Sequence, residues 1–262
     1  MNVLDLLSLK GKVAIVTGGY SHLGHAMTEA LSEAGAFVYV LGRNIDSFKA
    51  LHFPVDQVAF VHGDITDTAS IKSCYEQVYK EKGHIDILVN NATDVDGGGH
   101  LPETITDDMW DNTSDSVLRN PFVCIREVIP YMRQAGGGKI INIASMYGVV
   151  SPDLRMYEGS CAPYLNPIHY GTMKAGVIQM TRYFGAYLIK DHINVNSITP
   201  GTYPSEPIQK NKEFVERLSA KNPANRIGQP DDLKGAVLLL ASAASDYIVG
   251  QNIIVDGGWT IW

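Results

Sequence analysis

The chain has 262 residues, of which 45% are hydrophobic, an ordinary share for a globular protein with one large domain or two small ones. The 21 Lys and Arg residues against 28 Asp and Glu residues give a formal net charge of −7. Because no block rich in Lys or Arg occurs, neither nucleic acid nor an anionic membrane surface is expected as a partner.

The three cysteines, Cys74, Cys124 and Cys161, are widely spaced. Their odd number favours a reducing compartment over a disulfide framework or a zinc site, and no metal is expected.

The beginning of the chain and its apolar segments bear on localisation. Residues 1–12 lack the charged start and long apolar run of a signal peptide. No stretch approaches the ~18 consecutive apolar residues that are needed to cross a bilayer. We therefore expect a cytoplasmic protein that does not bind a membrane.

Short β-branched runs alternate with longer amphipathic stretches along the chain. The runs predict buried strands at residues 13–17, 37–41, 58–62, 85–89, 139–143, 193–197 and 252–255. The longer stretches predict helices at residues 23–34, 70–82, 116–134, 164–190 and 230–242. This alternation predicts an α/β fold with a seven-stranded, doubly wound parallel sheet covered by helices on both faces. We expect one domain over residues 1–262, because no linker rich in Pro, Ser or Gly divides the chain.

A glycine-rich turn, residues 17–24, follows the first predicted strand and precedes a predicted helix. Glycines at such a turn let the backbone approach a pyrophosphate, and the helix N-terminus offers it unpaired N–H groups. The turn departs from the pattern Thr-Gly-x-x-x-Gly-x-Gly, because His22 replaces the middle glycine. We expect the His22 side chain to point to solvent; the alternative is a further donor near a phosphate.

The end of the second predicted strand bears on cofactor choice. In dinucleotide-binding sheets an acidic residue at this position binds the hydroxyls of the adenosine ribose. Gly42 stands there and cannot do so, whereas the following Arg43 could pair with a 2′-phosphate. The sequence therefore favours NADP(H) over NAD(H), although Arg43 could also be an ordinary surface arginine and NAD(H) stays possible.

Tyr170 and Lys174 are separated by just over one helical turn, so both side chains project from the same face of a helix. A cation close to a phenol favours the phenolate and lowers the phenol's pKa. Such a pair can exchange a proton with an oxygen while another group transfers a hydride. The same spacing also occurs by chance on solvated helices. Other motifs in the chain are therefore needed to distinguish a catalytic pair from a chance one.

The chain as a whole resembles the short-chain dehydrogenase/reductase family in its single-domain Rossmann form. The motifs that carry the resemblance occur in a shared order over nearly the whole chain: residues 17–24, Asp64, Asn90-Asn91-Ala92, Ser145, the Tyr170/Lys174 pair, Pro200-Gly201, and Gly250-Gln251 before residues 255–258. The resemblance implies that Ser145 binds the substrate oxygen, that Tyr170 is the acid/base, and that Lys174 binds the nicotinamide ribose and lowers the tyrosine pKa.

The resemblance also implies which residues bind the cofactor. Asp64 and Ile65 are expected at the adenine, Asn90 and Ala92 along the ribose, and Pro200 at the nicotinamide. The full predicted set is Gly18, Tyr20, Ser21, His22, Leu23, Gly24, Arg43, Asp64, Ile65, Asn91, Ala92, Thr93, Tyr170, Lys174, Pro200, Gly201 and Thr202.

Three features depart from the family pattern. Thr93 replaces the usual glycine after Asn-Asn-Ala, and Val117 replaces an asparagine that helps to hold a water linked to the lysine. Ser114, Ser116 or Asn120 could substitute for that asparagine. The interval from Ser145 to Tyr170 is about twice the usual one, and the extra segment is roughly residues 150–163.

This insertion starts and returns near the reacting oxygen, so we expect it to overhang the substrate. Its polar residues suit a hydroxylated or anionic ligand, with Arg155 as a candidate for a carboxylate and Tyr147 as a second substrate candidate. The alternative is that the insertion is a solvated loop or a subunit contact without a role at the substrate. Residues 202–226 resemble the family's substrate lid.

The Tyr147 region and the ending Gly257–Trp262 resemble branches that oxidise sugars, polyols or sugar acids, including gluconate 5-dehydrogenase-like enzymes. A reductase of 3-oxoacyl thioesters is one alternative function, and a non-catalytic dinucleotide sensor or scaffold is another. The resemblance further implies a homotetramer.

Overall fold

Seven parallel strands form one sheet in the computed structural model, which describes residues 2–262 apart from the side chains of residues 162 and 163. Across the sheet the strands run in the order β3-β2-β1-β4-β5-β6-β7. Their bounds are Val13–Thr17 (β1), Phe37–Gly42 (β2), Val58–His62 (β3), Ile87–Asn90 (β4), Gly138–Ile143 (β5), Ile193–Pro200 (β6) and Asn252–Val255 (β7). The predicted doubly wound parallel sheet is confirmed, and its winding reverses between β1 and β4, where such sheets bind ligands at the carboxyl ends of the strands.

The helices pack on both faces of this sheet, as predicted. Their bounds are Val3–Leu7 (α1), His22–Glu33 (α2), Ile45–Lys49 (α3), Thr68–Lys82 (α4), Asp107–Ser114 (α5), Asn120–Gln134 (α6), Ile168–Leu188 (α7), Glu206–Gln209 (α8), Lys212–Lys221 (α9) and Lys234–Ala241 (α10). On one face Ile15 packs with residues of α4, α6 and α7, and on the other Val16 packs with residues of α2 and α10. Successive strand residues thus enter opposite cores, as expected for a sheet covered on both sides.

Three predicted helices start four or more residues away from the observed helices. The helix predicted from residue 230 begins as a 3₁₀ turn at Pro230–Leu233, and α10 starts only at Lys234. The helix predicted from residue 116 is the last part of a longer helical run, in which α5, a π-helical turn at Asp115–Arg119 and α6 follow without a break. The helix predicted from residue 164 begins at Ile168 as α7, because Pro167 is its N-cap and a proline disfavours helical angles in the residue before it. The described residues include no helix with both the length and the apolar character to cross a membrane.

Candidate active site

A cavity of about 910 Å³ lies at the carboxyl ends of the strands, at the switch point between β1 and β4. It brings together nearly all of the residues that the sequence singled out: Gly18, Tyr20, Ser21, His22, Leu23, Arg43, Asp64, Ile65, Asn91, Ala92, Thr93, Ser145, Tyr170, Lys174, Pro200 and Gly201. Of the predicted cofactor residues, Gly24, Asn90 and Thr202 do not line it, and Asn90 Nδ2 donates to Asn142 Oδ1 at 2.8 Å instead. Gly24 acts by packing instead, because a Cβ there would collide with the carbonyl oxygen of Gly18.

The glycine turn lines one side of this cavity and is held in place by hydrogen bonds. Gly18 has φ +61°, a left-handed conformation that suits glycine, and the Ser21 hydroxyl caps α2 by accepting a hydrogen bond from Gly24 N at 3.3 Å. Asn91 holds the turn from β4: its Nδ2 donates to the carbonyl oxygens of Thr17 and Gly18 at 3.0 and 3.1 Å. A fixed turn at a helix N-terminus, beside a cavity of this length, fits a dinucleotide pyrophosphate.

His22 does not extend freely into solvent, contrary to our expectation. The side chain lines the cavity, and its Nε2 atom is buried without a hydrogen-bond partner among the described residues. Burial lowers the pKa of the imidazole, and the opposing charge of Glu206 only partly offsets this effect. The alternative reading, a ring nitrogen available to a ligand near the turn, therefore agrees better with the structure.

The adenosine end of the cavity leaves no room for a side chain at the position of Gly42. A Cβ at Gly42 would collide with the ring of Tyr20, so no acidic side chain fits there without moving that ring. Arg43 lies beside this point with its side chain 66% exposed, and its Nη1 is 3.9 Å from Oδ2 of Asp64. Burial raises the pKa of Asp64, but hydrogen bonds from Thr66 and the charge of Arg43 outweigh it and leave that pKa lowered. Arg43 is thus a loosely held cation that can turn toward an anionic ligand.

At the other end of the cavity, Ser145 at the end of β5 faces Tyr170 and Lys174 in the first turns of α7. Lys174 is 4% exposed, and its Nζ donates to the carbonyl oxygen of Ile143 at 2.7 Å. Burial lowers the pKa of this lysine to about 8. A hydroxyl, a phenol and an amine therefore meet at one point, which suits hydrogen bonding to, and proton exchange with, a substrate oxygen.

The protonation of Tyr170 differs from the expectation. We expected Lys174 to lower the pKa of the phenol, but burial raises it, and only the neighbouring Ser145 hydroxyl acts in the opposite direction. The Lys174 Nζ is 5.7 Å from the centre of the Tyr170 ring. In this structure Tyr170 is therefore held as a proton donor.

Among the three residues that could replace the missing helix asparagine, Asn120 fits best. Val117 packs in an apolar cluster with Ala144 and Val177. The Ser116 hydroxyl lines the cavity but already accepts a hydrogen bond from Asp94 N at 2.5 Å, and Ser114 does not line the cavity. Asn120 lines the cavity and is 1% exposed, and neither of its amide atoms has a partner among the described residues.

The two substrate candidates do not reach the cavity. The Arg155 guanidinium faces solvent and binds Asp153 through its Nε and Nη2 at 2.9 and 2.8 Å. The Tyr147 hydroxyl is 2.6 Å from that of Tyr157, in the insertion. No described side chain of residues 150–161 lines the cavity, and residues 162 and 163 lie outside the described side chains. Apolar residues of the insertion pack against α9 instead, so the loop does not form the cavity wall that we expected.

The wall formed by residues 94–96 and the helix beside it was not predicted from the sequence. Asp94, Val95, Asp96, Asn112 and Asp115 all line the cavity. Their position carried a signal that we did not use: residues 94–96 follow β4 at the carboxyl edge of the sheet, where ligand-binding loops occur.

Comparisons with known proteins agree with this site. A family model described as enoyl-(acyl carrier protein) reductase matches residues 18–260. The 2-dehydro-3-deoxy-D-gluconate 5-dehydrogenase of Escherichia coli (strain K12) is 33% identical over 98% of this chain and 98% of its own. A 3-oxoacyl-[acyl-carrier-protein] reductase of Thermotoga maritima is 32% identical over 97% of this chain and 100% of its own.

One solved structure adds a ligand to the comparison. A gluconate 5-dehydrogenase from Burkholderia cenocepacia J2315, in complex with NADP and tartrate, superposes with a TM-score of 0.86 at 28% identity, and the match covers 100% of both chains. The whole chain is therefore similar to nicotinamide-dependent oxidoreductases in sequence and in fold.

Proposed function

Since this chain belongs to the short-chain dehydrogenase/reductase family and is an NAD(P)-dependent oxidoreductase, we propose that it interconverts a polar secondary alcohol and its ketone. The substrate class is a sugar, a polyol or a sugar acid. The observation that carries this proposal is the meeting of Ser145, Tyr170 and Lys174 at one end of a dinucleotide-sized cavity. The relatives that are named for sugar-acid dehydrogenation support the substrate class.

The three side chains have separate tasks in this reaction. A bound nicotinamide supplies or accepts the hydride. Ser145 hydrogen-bonds the reacting oxygen and fixes its position beside the phenol. In the reductive direction Tyr170, which burial keeps protonated, gives its proton to that oxygen. Lys174 lies behind Tyr170 with its Nζ held by Ile143 O, where its charge stabilises the phenolate that remains.

Replacing Tyr170 by phenylalanine tests this mechanism, because it removes one oxygen and keeps the ring. We expect Tyr170→Phe to lower kcat by about 10³-fold or more, since general acid catalysis contributes about 10²–10⁴-fold and Ser145 would also lose its neighbour. The measurement is the steady-state rate on a panel of sugars, polyols and sugar acids and their ketones. NADPH affinity, measured by fluorescence titration, should stay within about twofold, because the ring still fills its place. Turnover in Tyr170→Phe comparable to that of the original protein would contradict the mechanism.

Specific observations favour two other functions. A reductase of 3-oxoacyl thioesters is favoured by the relative from Thermotoga maritima, and a direct assay on an acyl thioester distinguishes it. A non-catalytic dinucleotide sensor is motivated by His22, Thr93 and Val117, which depart from the family pattern. Tight NADPH binding without turnover of any carbonyl in the panel would favour the sensor.

NADP(H) is the proposed cofactor, because Tyr20 fills the place of a ribose-binding acid and Arg43 is loosely held. We expect Arg43→Ala to weaken NADPH binding about tenfold, since a charge-assisted hydrogen bond contributes about 1.5–3 kcal/mol, and to leave NADH binding unchanged. Fluorescence titration with each nucleotide measures this. Lys49→Ala, which removes an exposed cation of α3 that does not line the cavity, is the matched control. Tighter binding of NADH than of NADPH by the original protein would overturn the assignment.

The assembly and the location stay predictions. A homotetramer is compatible with exposed aromatic side chains on the long helices, such as Tyr183 and Tyr187, and with the exposed Trp262 at the end of the chain. A cytoplasmic location rests on the sequence features given above.

A further inference from the structure

The wall at residues 94–96 is held in a fixed position. Asp94 N donates to the Ser116 hydroxyl at 2.5 Å, and Asp96 N donates to the Thr113 hydroxyl at 3.1 Å. Ser116 and Thr113 are themselves buried in the helical run of α5 and the π-helical turn. The backbone that carries both carboxylates is therefore tied to a rigid element, which favours a defined role for them in the cavity.

This wall also lies close to the catalytic tyrosine. The carbonyl oxygen of Asp96 is 2.9 Å from Nε2 of His169, a fully buried residue that directly precedes Tyr170. Asp96 itself lines the same cavity as Tyr170. The wall therefore borders the reacting end of the cavity, where the part of the substrate beyond the carbonyl has to lie.

The charges around the cavity are unbalanced. Four carboxylates line it, those of Asp64, Asp94, Asp96 and Asp115, and the lining residues that the structure describes include only two cations, Arg43 and Lys174. Asp115 is paired with Arg119, whose Nε is 3.9 Å from Asp115 Oδ1. Arg43 lies at the adenosine end beside Asp64, and Lys174 donates to the Ile143 carbonyl behind the tyrosine. No cation among the described lining residues is paired with Asp94 or Asp96, so a substrate carboxylate placed against these two side chains would be repelled.

A buried amide in the same cavity is available to a polar group of the substrate. Asn120 is 1% exposed, and both its Nδ2 and its Oδ1 lack a partner among the described residues. A buried polar atom without a partner is unfavourable, and the amide offers one donor group and one acceptor group at once. A hydroxyl can satisfy either of them, whereas a carboxylate can only accept.

From these observations we propose that the substrate is an uncharged polyhydroxylated alcohol or ketone, and that Asp96 selects it. The Asp96 carboxylate is oriented by hydrogen bonds that it accepts from Gly97 N at 2.8 Å and from Asn112 Nδ2 at 3.4 Å. Its remaining lone pairs accept hydrogen bonds from substrate hydroxyls. Its charge repels a substrate that carries a carboxylate, and Asp94 adds to the repulsion. This inference rests on the proposed dehydrogenase function and narrows it, because it removes sugar acids from the substrate class. It also agrees with the position of Arg155, which lies outside the cavity.

The test compares a neutral polyol with the aldonic acid of the same carbon skeleton, glucitol with gluconate, in kcat/KM with NADP. The original protein should prefer the polyol at least tenfold. Asp96→Asn keeps the shape and removes the charge, so the preference should fall at least tenfold. Asp111→Asn removes the same charge from an exposed position of α5 outside the cavity and should leave the preference unchanged. NADPH affinity should be the same in all three proteins.

A second measurement keeps the inference testable if neither compound is turned over. Calorimetric titration of the Tyr170→Phe variant, saturated with NADP, gives the affinities for glucitol and gluconate without turnover. Tighter binding of glucitol, with a preference that falls in the Tyr170→Phe/Asp96→Asn double variant, would support the inference even if the proposed reaction failed. Binding of gluconate at least as tight as that of glucitol, or an equal loss of preference on adding Asp111→Asn, would overturn it.

Discussion

Lys174 is a cation inside an apolar part of the protein, with no carboxylate partner among the described residues. Its Nζ donates to one carbonyl oxygen, and burial lowers its pKa to about 8, whereas an unfolded chain keeps an ordinary lysine pKa of 10.5. The native state therefore binds this proton less tightly than the unfolded state does. Stability must rise with pH between these two values, and below pH 8 the native state carries the full penalty.

Lys174→Met tests this penalty, because methionine fills similar space without a charge. We expect the variant to be more stable than the original protein by about 2 kcal/mol at pH 7, less than the pKa difference alone implies, because Ile143 O loses its donor. The gain should shrink as the pH rises above 8 and turn into a small loss before pH 10.5, because the penalty vanishes there while the hydrogen bond to Ile143 O stays lost. Urea unfolding without cofactor, repeated across this pH range, measures it.

The same unfolding series on Lys80→Met provides the control, since Lys80 is exposed at the end of α4. That variant should show little change at any pH. If Lys174→Met were less stable than the original protein at pH 7, the buried ammonium would be held by favourable contacts and the pKa argument would be wrong. Activity should be lost, and this loss together with the gain in stability would identify Lys174 as a residue that lowers stability for function.

At the scale of elements, the strands and helices that depend on local sequence patterns were predicted correctly. The three strands β1, β3 and β7 match their predicted bounds, because each is a short apolar run that ends at a break in the pattern. The whole of α5 was missed, since its residues are mostly polar and its helical state depends on the cap at Thr106 and on contacts with α7. The π-helical turn at Asp115–Arg119 has no sequence signature of its own.

The difference between local patterns and long-range contacts also explains which residues of the candidate site could be predicted. The side chains that follow strands or share one helix face, such as Ser145 with Tyr170, were predictable, because the parallel sheet brings strand ends to one edge. Arg155 was misplaced, since its direction depends on the long-range ion pair between Asp153 and Lys221. Asp96 was missed because its position depends on Thr113 and His169, which are distant in sequence.

At the scale of the whole molecule, the insertion and the segment after β6 form one packed unit. Arg217 Nη1 donates to the carbonyl oxygen of Glu158 at 3.0 Å, and Asn211 Nδ2 to that of Ser160 at 3.2 Å, so α9 is tied to the insertion. Phe214 of α9 is 4% exposed and stacks on Tyr164 with ring centres 5.0 Å apart. These contacts join two segments far apart in sequence beside the reacting end of the cavity.

Phe214→Ala should therefore loosen both segments together. Removing the ring leaves a cavity that costs about 3–5 kcal/mol, and the loss falls on contacts between α9 and the insertion. We expect amide hydrogen exchange to speed up in residues 154–161 and in α9 alike, while β1 and β4 stay protected. The KM for the carbonyl substrate should rise about tenfold if this unit closes the substrate end, since roughly 1.4 kcal/mol of lost ordering corresponds to that factor.

Phe53→Ala is the matched control, because it truncates a phenylalanine of similar burial that packs with α2 and α3 on the other face of the sheet. Its exchange should change near α3 and not in α9 or the insertion, and its substrate KM should stay the same. Faster exchange confined to α9 in Phe214→Ala would show that the two segments move separately. A rise in KM with no change in NADPH affinity would instead place the joint unit over the substrate and away from the adenosine end, as expected from a unit that packs beside Met146 and Tyr147.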